Sequence, residues 1–227
     1  MRNFALLIFL ISISQPMIGQ KIEGIWMSYN DRIIDENNWH SNNIEGIIIN
    51  FDQNEISQIA SDSSFQIKIN KNESLIESEF ANLNSKYKLY QTDSLEVEIA
   101  SNTKSVFHPL NLNHPINTSK QKIENLIAGD CWRILNDSIK TKFLNDIHPI
   151  SDSNGNIKML ETIWVQSRPM VGNWFIGEIR NNFFLFLTIE DKTERNIYQI
   201  VSVEKDKINL IPLQEHHYKI REIKTCM

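Results

Sequence analysis

Six histidines are the side chains best suited to metal or proton chemistry in this chain. Three stand in His-Pro steps, His108-Pro109, His114-Pro115 and His148-Pro149, and two are adjacent, His216-His217. Zinc sites draw two ligands from a short local spacing. Adjacent histidines on a strand point to opposite faces, so His216 and His217 do not chelate one ion together. His108 and His114 flank a loop in a spacing that matches no zinc pattern. They read as surface turn histidines, and no metal or other cofactor is expected. Nucleophile motifs are missing: there is no Gly-x-Ser-x-Gly, no His-Glu-x-x-His and no Cys-x-x-Cys. Seven glycines are too few for a phosphate-cradling loop. Cys131, beside Trp132, has nothing local to lower its thiol pKa. Glu96 and Glu98 share one strand face, as an acid–base pair would. They alternate with Leu95, Val97 and Ile99, so they read as the wet side of an amphipathic strand. No catalytic residue is identified, and an enzyme is not expected. Asn72-Glu73-Ser74, Asn117-Thr118-Ser119 and Asn136-Asp137-Ser138 match the glycosylation triplet, which matters only in a eukaryotic secretory route.

The remaining pair with chemical potential is Cys131 and Cys226. Its meaning depends on compartment, which the N-terminus addresses. Met1-Arg2-Asn3 is a short basic start, and Phe4 to Ile13 is a run dominated by apolar side chains. Ser14, Gln15 and Pro16 break it, and Gly19 is a small residue at a cleavage point. Residues 1–19 therefore read as a secretory signal peptide, too short to span a bilayer as a helix. Met17 departs from the small residue preferred three before the cut. No cysteine follows the apolar run closely, so a lipoprotein is not expected. No later segment approaches 18 apolar residues, so no membrane span is expected in the mature chain. The chain is read as exported, periplasmic or extracellular. Two cysteines in an oxidising compartment make a Cys131–Cys226 disulfide the expectation, the alternative being Cys131 as a buried small hydrophobe with Cys226 loose. The disulfide would close a loop of about 95 residues, which the chain-entropy account values at about 4–5 kcal/mol.

Composition narrows the partners. The 227-residue chain carries a formal net charge of −5, one unit more negative once Arg2 leaves with the signal. Nucleic acid and anionic membrane surfaces need a basic footprint, so neither is expected. A small hydrophobic ligand or a protein partner remains.

The elements that position these residues are mostly strands. Phe65–Ile69, Leu95–Ile99, Tyr87–Tyr90 and Tyr218–Arg221 alternate apolar and polar side chains, the pattern of strands with one face buried. Ile47-Ile48-Ile49 and Phe183–Leu187 are continuous apolar runs that fit strands covered on both faces. Turns rich in Asn, Asp and Ser separate the runs, among them Asp52-Gln53-Asn54, Asn70-Lys71-Asn72 and Arg180-Asn181-Asn182. One segment breaks the pattern. Thr118 through Ile127 reads as a helix, with a capping box from Thr118 to Gln121, Ile123, Leu126 and Ile127 on one face, and Gly129 placed to end it. Asn111–Pro115 upstream reads as a linker.

The two halves look alike. Each opens on a Gly–Trp pair, Gly24-Ile25-Trp26 and Gly129-Asp130-Cys131-Trp132, and each ends in three strand-like runs. A literal match of Tyr90-Gln91-x-x-Ser94-Leu95-Glu96 with Tyr198-Gln199-x-x-Ser202-Val203-Glu204 sets a turn against mid-strand, so strand order is the better guide to the repeat. One continuous meander is the alternative.

Ile22-Glu23-Gly24-Ile25-Trp26-Met27-Ser28-Tyr29 resembles the first strand of a lipocalin-like barrel, which carries Gly-x-Trp at this point. The resemblance implies that Trp26 plugs a closed barrel end, with a basic last-strand residue across it. Arg221 is the matching candidate if the whole chain is one barrel; with two barrels, His108 stands at the end of the first half instead. Gly24, Trp26, Trp132 and Arg221 are thus the candidate structural residues. The expected fold is all-β, an antiparallel lipocalin-like barrel or meander. It is either two tandem halves or one large barrel, with a short helix near 118–128. The expected organisation is a signal at 1–19, a first half at 20–112 and a second half at 113–227. The function expected is binding of a small apolar or amphipathic ligand. The alternative is a protein-interaction or inhibitor module with a filled core and no ligand.

Overall fold

The computed structural model describes residues 22–33, 46–59, 63–90, 93–100, 103–128, 131–134, 139–143, 150–151, 157–158, 161–165, 168–189, 195–213 and 220–226. The leader at 1–19, Gly129, His148, His216, His217 and the triplet at 136–138 lie outside these residues.

The strands form two closed antiparallel barrels. The first runs β1 (Ile25–Ile33), β2 (Ile47–Asn50), β3 (Glu55–Gln58), β4 (Ser64–Asn70), β5 (Leu75–Ser78), β6 (Leu83–Tyr90), β7 (Ser94–Ala100) and β8 (Thr103–Pro109). Each strand pairs with the next, and β8 returns to β1. The helix α1 (Lys120–Ile127) then leads into the second set. That set is β9 (Cys131–Ile134), β10 (Ile139–Lys142), β13 (Glu161–Val165), β14 (Arg168–Ile179), β15 (Asn182–Ile189), β16 (Arg195–Val203), β17 (Lys207–Pro212) and β18 (Glu222–Thr225). Here β18 returns to β9. A two-stranded sheet of β11 (Ile150–Ser151) and β12 (Ile157–Lys158) stands apart. The single-barrel alternative is thereby corrected: closure occurs twice, because the last strand of each set hydrogen-bonds to the first strand of its own set.

Turn chemistry explains the tight connections. With few glycines, other residues take left-handed backbone: Asn54, Ser74, Asn82, Arg180 and Asn181 all have positive φ. Arg180 and Asn181, at φ 50° and 60°, make the paired left-handed turn that suits the twist of the β14–β15 hairpin. Asn50 and Asn70 each turn the chain with the side-chain oxygen. Asn50 Oδ1 accepts from the N–H groups of Asp52 and Gln53, and Asn70 Oδ1 from those of Asn72 and Glu73.

Helix α1 forms as the pattern predicts, but its cap lies one residue later than Thr118. Ser119 is extended, and its hydroxyl accepts from Lys122 N–H at 3.4 Å. Gln121 instead donates along the helix to Asn125 Oδ1 at 3.0 Å. Of the strand read at Tyr218–Arg221, Tyr218 and Lys219 lie outside the described residues, and Ile220 and Arg221 precede β18, which begins at Glu222. Register also separates the two literally matched segments. Tyr90↔Ser94 closes the β6–β7 hairpin, whereas Tyr198 lies inside β16, whose hairpin with β17 closes at Val203↔Ile208.

Inward-facing side chains make two separate cores. Trp26, Ile49, Ile76, Leu95, Val97 and Phe107 lie in that of the first barrel, and Trp132, Phe143, Phe183, Leu185 and Ile200 in that of the second. Ile123 and Ile127 place α1 in the second core. A third buried cluster joins the barrels: Ile25, Met27, Ile48 and Ile59 from the first, Phe184, Phe186 and Ile197 from the second. This explains both continuous apolar runs. Ile47 and Ile49 face the first core while Ile48 faces the other barrel. Phe183, Leu185 and Leu187 face the second core while Phe184 and Phe186 face the first barrel.

The connection between barrels is fastened rather than loose. Leu110 N–H donates to Ile25 O. Asn182, buried, accepts from His114 N–H at 3.1 Å and donates to Leu112 O at 3.0 Å. Gln199, also buried, donates to Asn111 O at 2.7 Å. Leu110 and Leu112 pack against the inter-barrel cluster.

Candidate functional site

Each barrel holds a buried tryptophan near its first strand, tied back to a carbonyl earlier in the chain. Gly24 takes φ +80°, a backbone conformation that L side chains resist. Its N–H donates to Asp52 Oδ1 at 2.8 Å, and its carbonyl accepts from Phe51 N–H. The turn brings the Trp26 indole back to donate to Glu23 O at 2.9 Å, with Phe51 edge-on to the ring. Trp132 repeats the arrangement: fully buried, it donates to Ile127 O at 2.8 Å, satisfying a carbonyl in the last turn of α1. Arg221 stands on the second barrel, exposed, its carbonyl accepting from Leu210 N–H. Trp26 lies in the first barrel. Opposite Met27, next to Trp26, stands His108, whose Nδ1 is 2.9 Å from Asp93 O. Cys131 and Cys226 are joined in a disulfide with Cα atoms 5.3 Å apart.

The carboxylates of β7 are surface groups with cationic neighbours. Lys104 Nζ lies 2.8 Å from Glu96 Oε1, and Glu98 is opposite Lys104 in register. The hydrogen bond to Glu96 holds the Lys104 ammonium above its ordinary pKa. Among the described residues no group of three His, Cys, Asp or Glu side chains is placed to hold a metal ion.

A cleft of about 210 Å³ lies between the barrels. Ile25, Ile48 and Ile179 supply apolar surface, Glu55 and Gln58 a polar wall from the first barrel, and Glu178 and Arg180 one from the second. Ligand pockets for drug-sized molecules run from about 300 Å³ upward, so this cleft suits a side chain or a small polar group rather than a lipid. Beside it, Ile59 fills a hollow left by two glycines. A Cβ on Gly177 would stand 2.5 Å from Ile59 Cδ1, and one on Gly46 would stand 2.8 Å from Ile59 Cγ2. Phe186 floors the same hollow and stacks on Phe175 at 4.3 Å.

Ile25, Ile48, Gln53 and Arg180, read from sequence only as strand or turn residues, line the cleft, whereas the candidate structural and disulfide residues Gly24, Trp26, Trp132, Arg221, Cys131 and Cys226 do not. Gln58, Ile59, Glu178 and Arg180 were not legible as a group, since they come from strands far apart in the chain. One signal was present: Gly177 inside a strand run marks close approach of another backbone or side chain. No protein-family model matches this chain, and no curated protein matches it.

Proposed function

We propose that this is an exported interaction module of two lipocalin-like barrels, with the segments 20–112 and 113–227 as its two halves. The observation that carries this reading is the packing of both interiors. Ile49, Ile76, Leu95, Val97 and Phe107 are fully buried in the core of the first barrel, and Trp132, Ile176, Phe183 and Ile200 in that of the second. An eight-stranded barrel has an interior that side chains can fill or that can hold one small ligand. Here large apolar side chains occupy it, which favours recognition on the outside. Export is supported by the leader pattern at 1–19 and by the disulfide, since such bonds persist in oxidising compartments.

One observation favours the other reading, a small apolar ligand. Ile69, Tyr87 and Leu89 pack against the first core but are only partly buried. The barrel is therefore less completely covered on that side, and burial raises the Tyr87 phenol pKa.

Native mass spectrometry of the exported protein, followed by organic extraction, separates the two. The interaction module gives a clean unliganded mass. A co-purifying apolar molecule released on denaturation would sink that reading and establish the ligand reading.

A further inference from the structure

The two barrels close their seams by different means. In the first, β1 and β8 are in register from Trp26↔Pro109 to Ile33↔Thr103, interrupted by one bulge between Ser28 and Asn30. No cysteine takes part. In the second, β18 meets β9 at Lys224↔Arg133 and Thr225↔Trp132 among the described residues. The next position in that register is Cys226 opposite Cys131, and it is there that the disulfide lies. Cys226 N–H also donates to Cys131 O at 2.7 Å. A covalent bond thus joins the same two residues whose backbones continue the ladder beyond Thr225↔Trp132.

On its other flank β18 is held by Thr225 N–H donating to Asp206 O and, just before the strand, Leu210 N–H donating to Arg221 O. It pairs with β17 at Lys207↔Lys224, Ile208↔Ile223 and Asn209↔Glu222. The facing lysines repel, and Glu222 relieves this by reaching both, at 3.2 Å from Lys207 Nζ and 2.7 Å from Lys224 Nζ. Beneath the seam lie Trp132 and Ile223, both fully buried.

We infer that Cys131–Cys226 is a redox latch on the second barrel: reduction by a dithiol opens the β9/β18 seam while the first barrel stays closed. In that step the Sγ–Sγ bond breaks, and each sulfur takes up one electron and one proton. The dithiol is oxidised to its own disulfide. Opening leaves β9 and β18 with unpaired edges, which a closed barrel otherwise removes. The latch ties the closed form to an oxidising compartment, whatever the module binds.

The test is hydrogen exchange read by mass spectrometry on the full folded chain, oxidised and then treated with dithiothreitol. Complete reduction is verified by the gain of two hydrogens. Amides of 131–134 and 222–226 are expected to exchange at least about tenfold faster after reduction, with those of 25–33 and 103–109 unchanged. Oxidised glutathione should restore the slow rates. Unchanged exchange at the seam in fully reduced protein would overturn the latch. So would equal loss of protection in both barrels, which would make the disulfide a general stabiliser. The C131S/C226S variant should show the reduced pattern without reductant; the reduction experiment stands even if that variant does not fold.

Discussion

The side chain of Ile59, in the first barrel, lies directly over Gly177 of the second, leaving no room for a Cβ there. This contact sits inside the buried cluster that joins the barrels. Gly177→Val should therefore overpack the junction and destabilise the protein by about 1–3 kcal/mol. Urea unfolding should show a lower midpoint, with the barrels separating as distinct transitions. A variant as stable as the parent would mean that Ile59 simply swings aside.

Asn182 and Gln199 form the polar counterpart of that junction. Asn182 Oδ1 accepts from His114 N–H and, at 3.3 Å, from Gln199 Nε2. Asn182→Ala leaves Leu112 O and His114 N–H without these partners and should cost about 1–3 kcal/mol. Exchange at the 110–116 amides should speed up together with the fall in stability. If 110–116 stays as protected as before, the pair does not brace the connection.

Trp26 and Trp132 should respond alike. Phe in place of Trp132 keeps most of the apolar bulk but strands Ile127 O, and Trp26→Phe removes the bond to Glu23 O, on an exposed residue that water reaches. Each should cost about 1–3 kcal/mol by thermal denaturation, with the larger loss at the fully buried Trp132. A neutral Trp132→Phe would show that its indole N–H contributes nothing.

Gly24 faces open space, so its requirement is conformational rather than steric. Gly24→Ala should cost about 1–2 kcal/mol from the left-handed backbone alone. Gly24→Asn should recover part of that loss, since Asn tolerates this region. Equal stability of all three would show that the turn readily adopts another conformation.

Two surface groups give pH dependences of opposite sign. Hydrogen bonds from Lys224 and Lys207 hold the Glu222 carboxyl below its ordinary value. Its contribution is therefore present above the ordinary carboxylate pKa and lost as pH falls through the depressed one. Lys104 is raised by Glu96, so its contribution is present below the ordinary lysine value and lost as pH rises through the raised one. Proton titrations by NMR should show both shifts. Glu222→Gln should speed exchange at Ile223 at neutral pH, because Lys207 and Lys224 then face each other unrelieved; no change there would remove Glu222 from the account of this strand.

Much of the local structure was readable because its causes are local. Leu95–Ile99 alternates, and the apolar members are the buried ones. The helix at 118–127 was legible from its apolar spacing; only the choice of Ser119 over Thr118 as cap escaped, since neighbouring hydroxyls differ by backbone angle and not by type. The cysteine pairing followed from an even count, read together with the leader-like pattern at 1–19. Strand order marked the repeat better than the matching letters, because hairpin register, not identity, sets which positions correspond.

The sequence by itself determined that Ile47–Ile49 and Phe183–Leu187 are buried segments, because every side chain in those runs is apolar; periodicity left open a strand covered on both faces or a buried helix. What supplies the cover, how many barrels close and where the cleft lies were decided only in three dimensions. Closure depends on hydrogen bonds between β1 and β8, and between β9 and β18, whose partners are distant in the chain and carry no shared local pattern. The docking of Ile59 onto Gly177 joins residues of different barrels. Periodicity reports which way a side chain points; only packing reports what it meets.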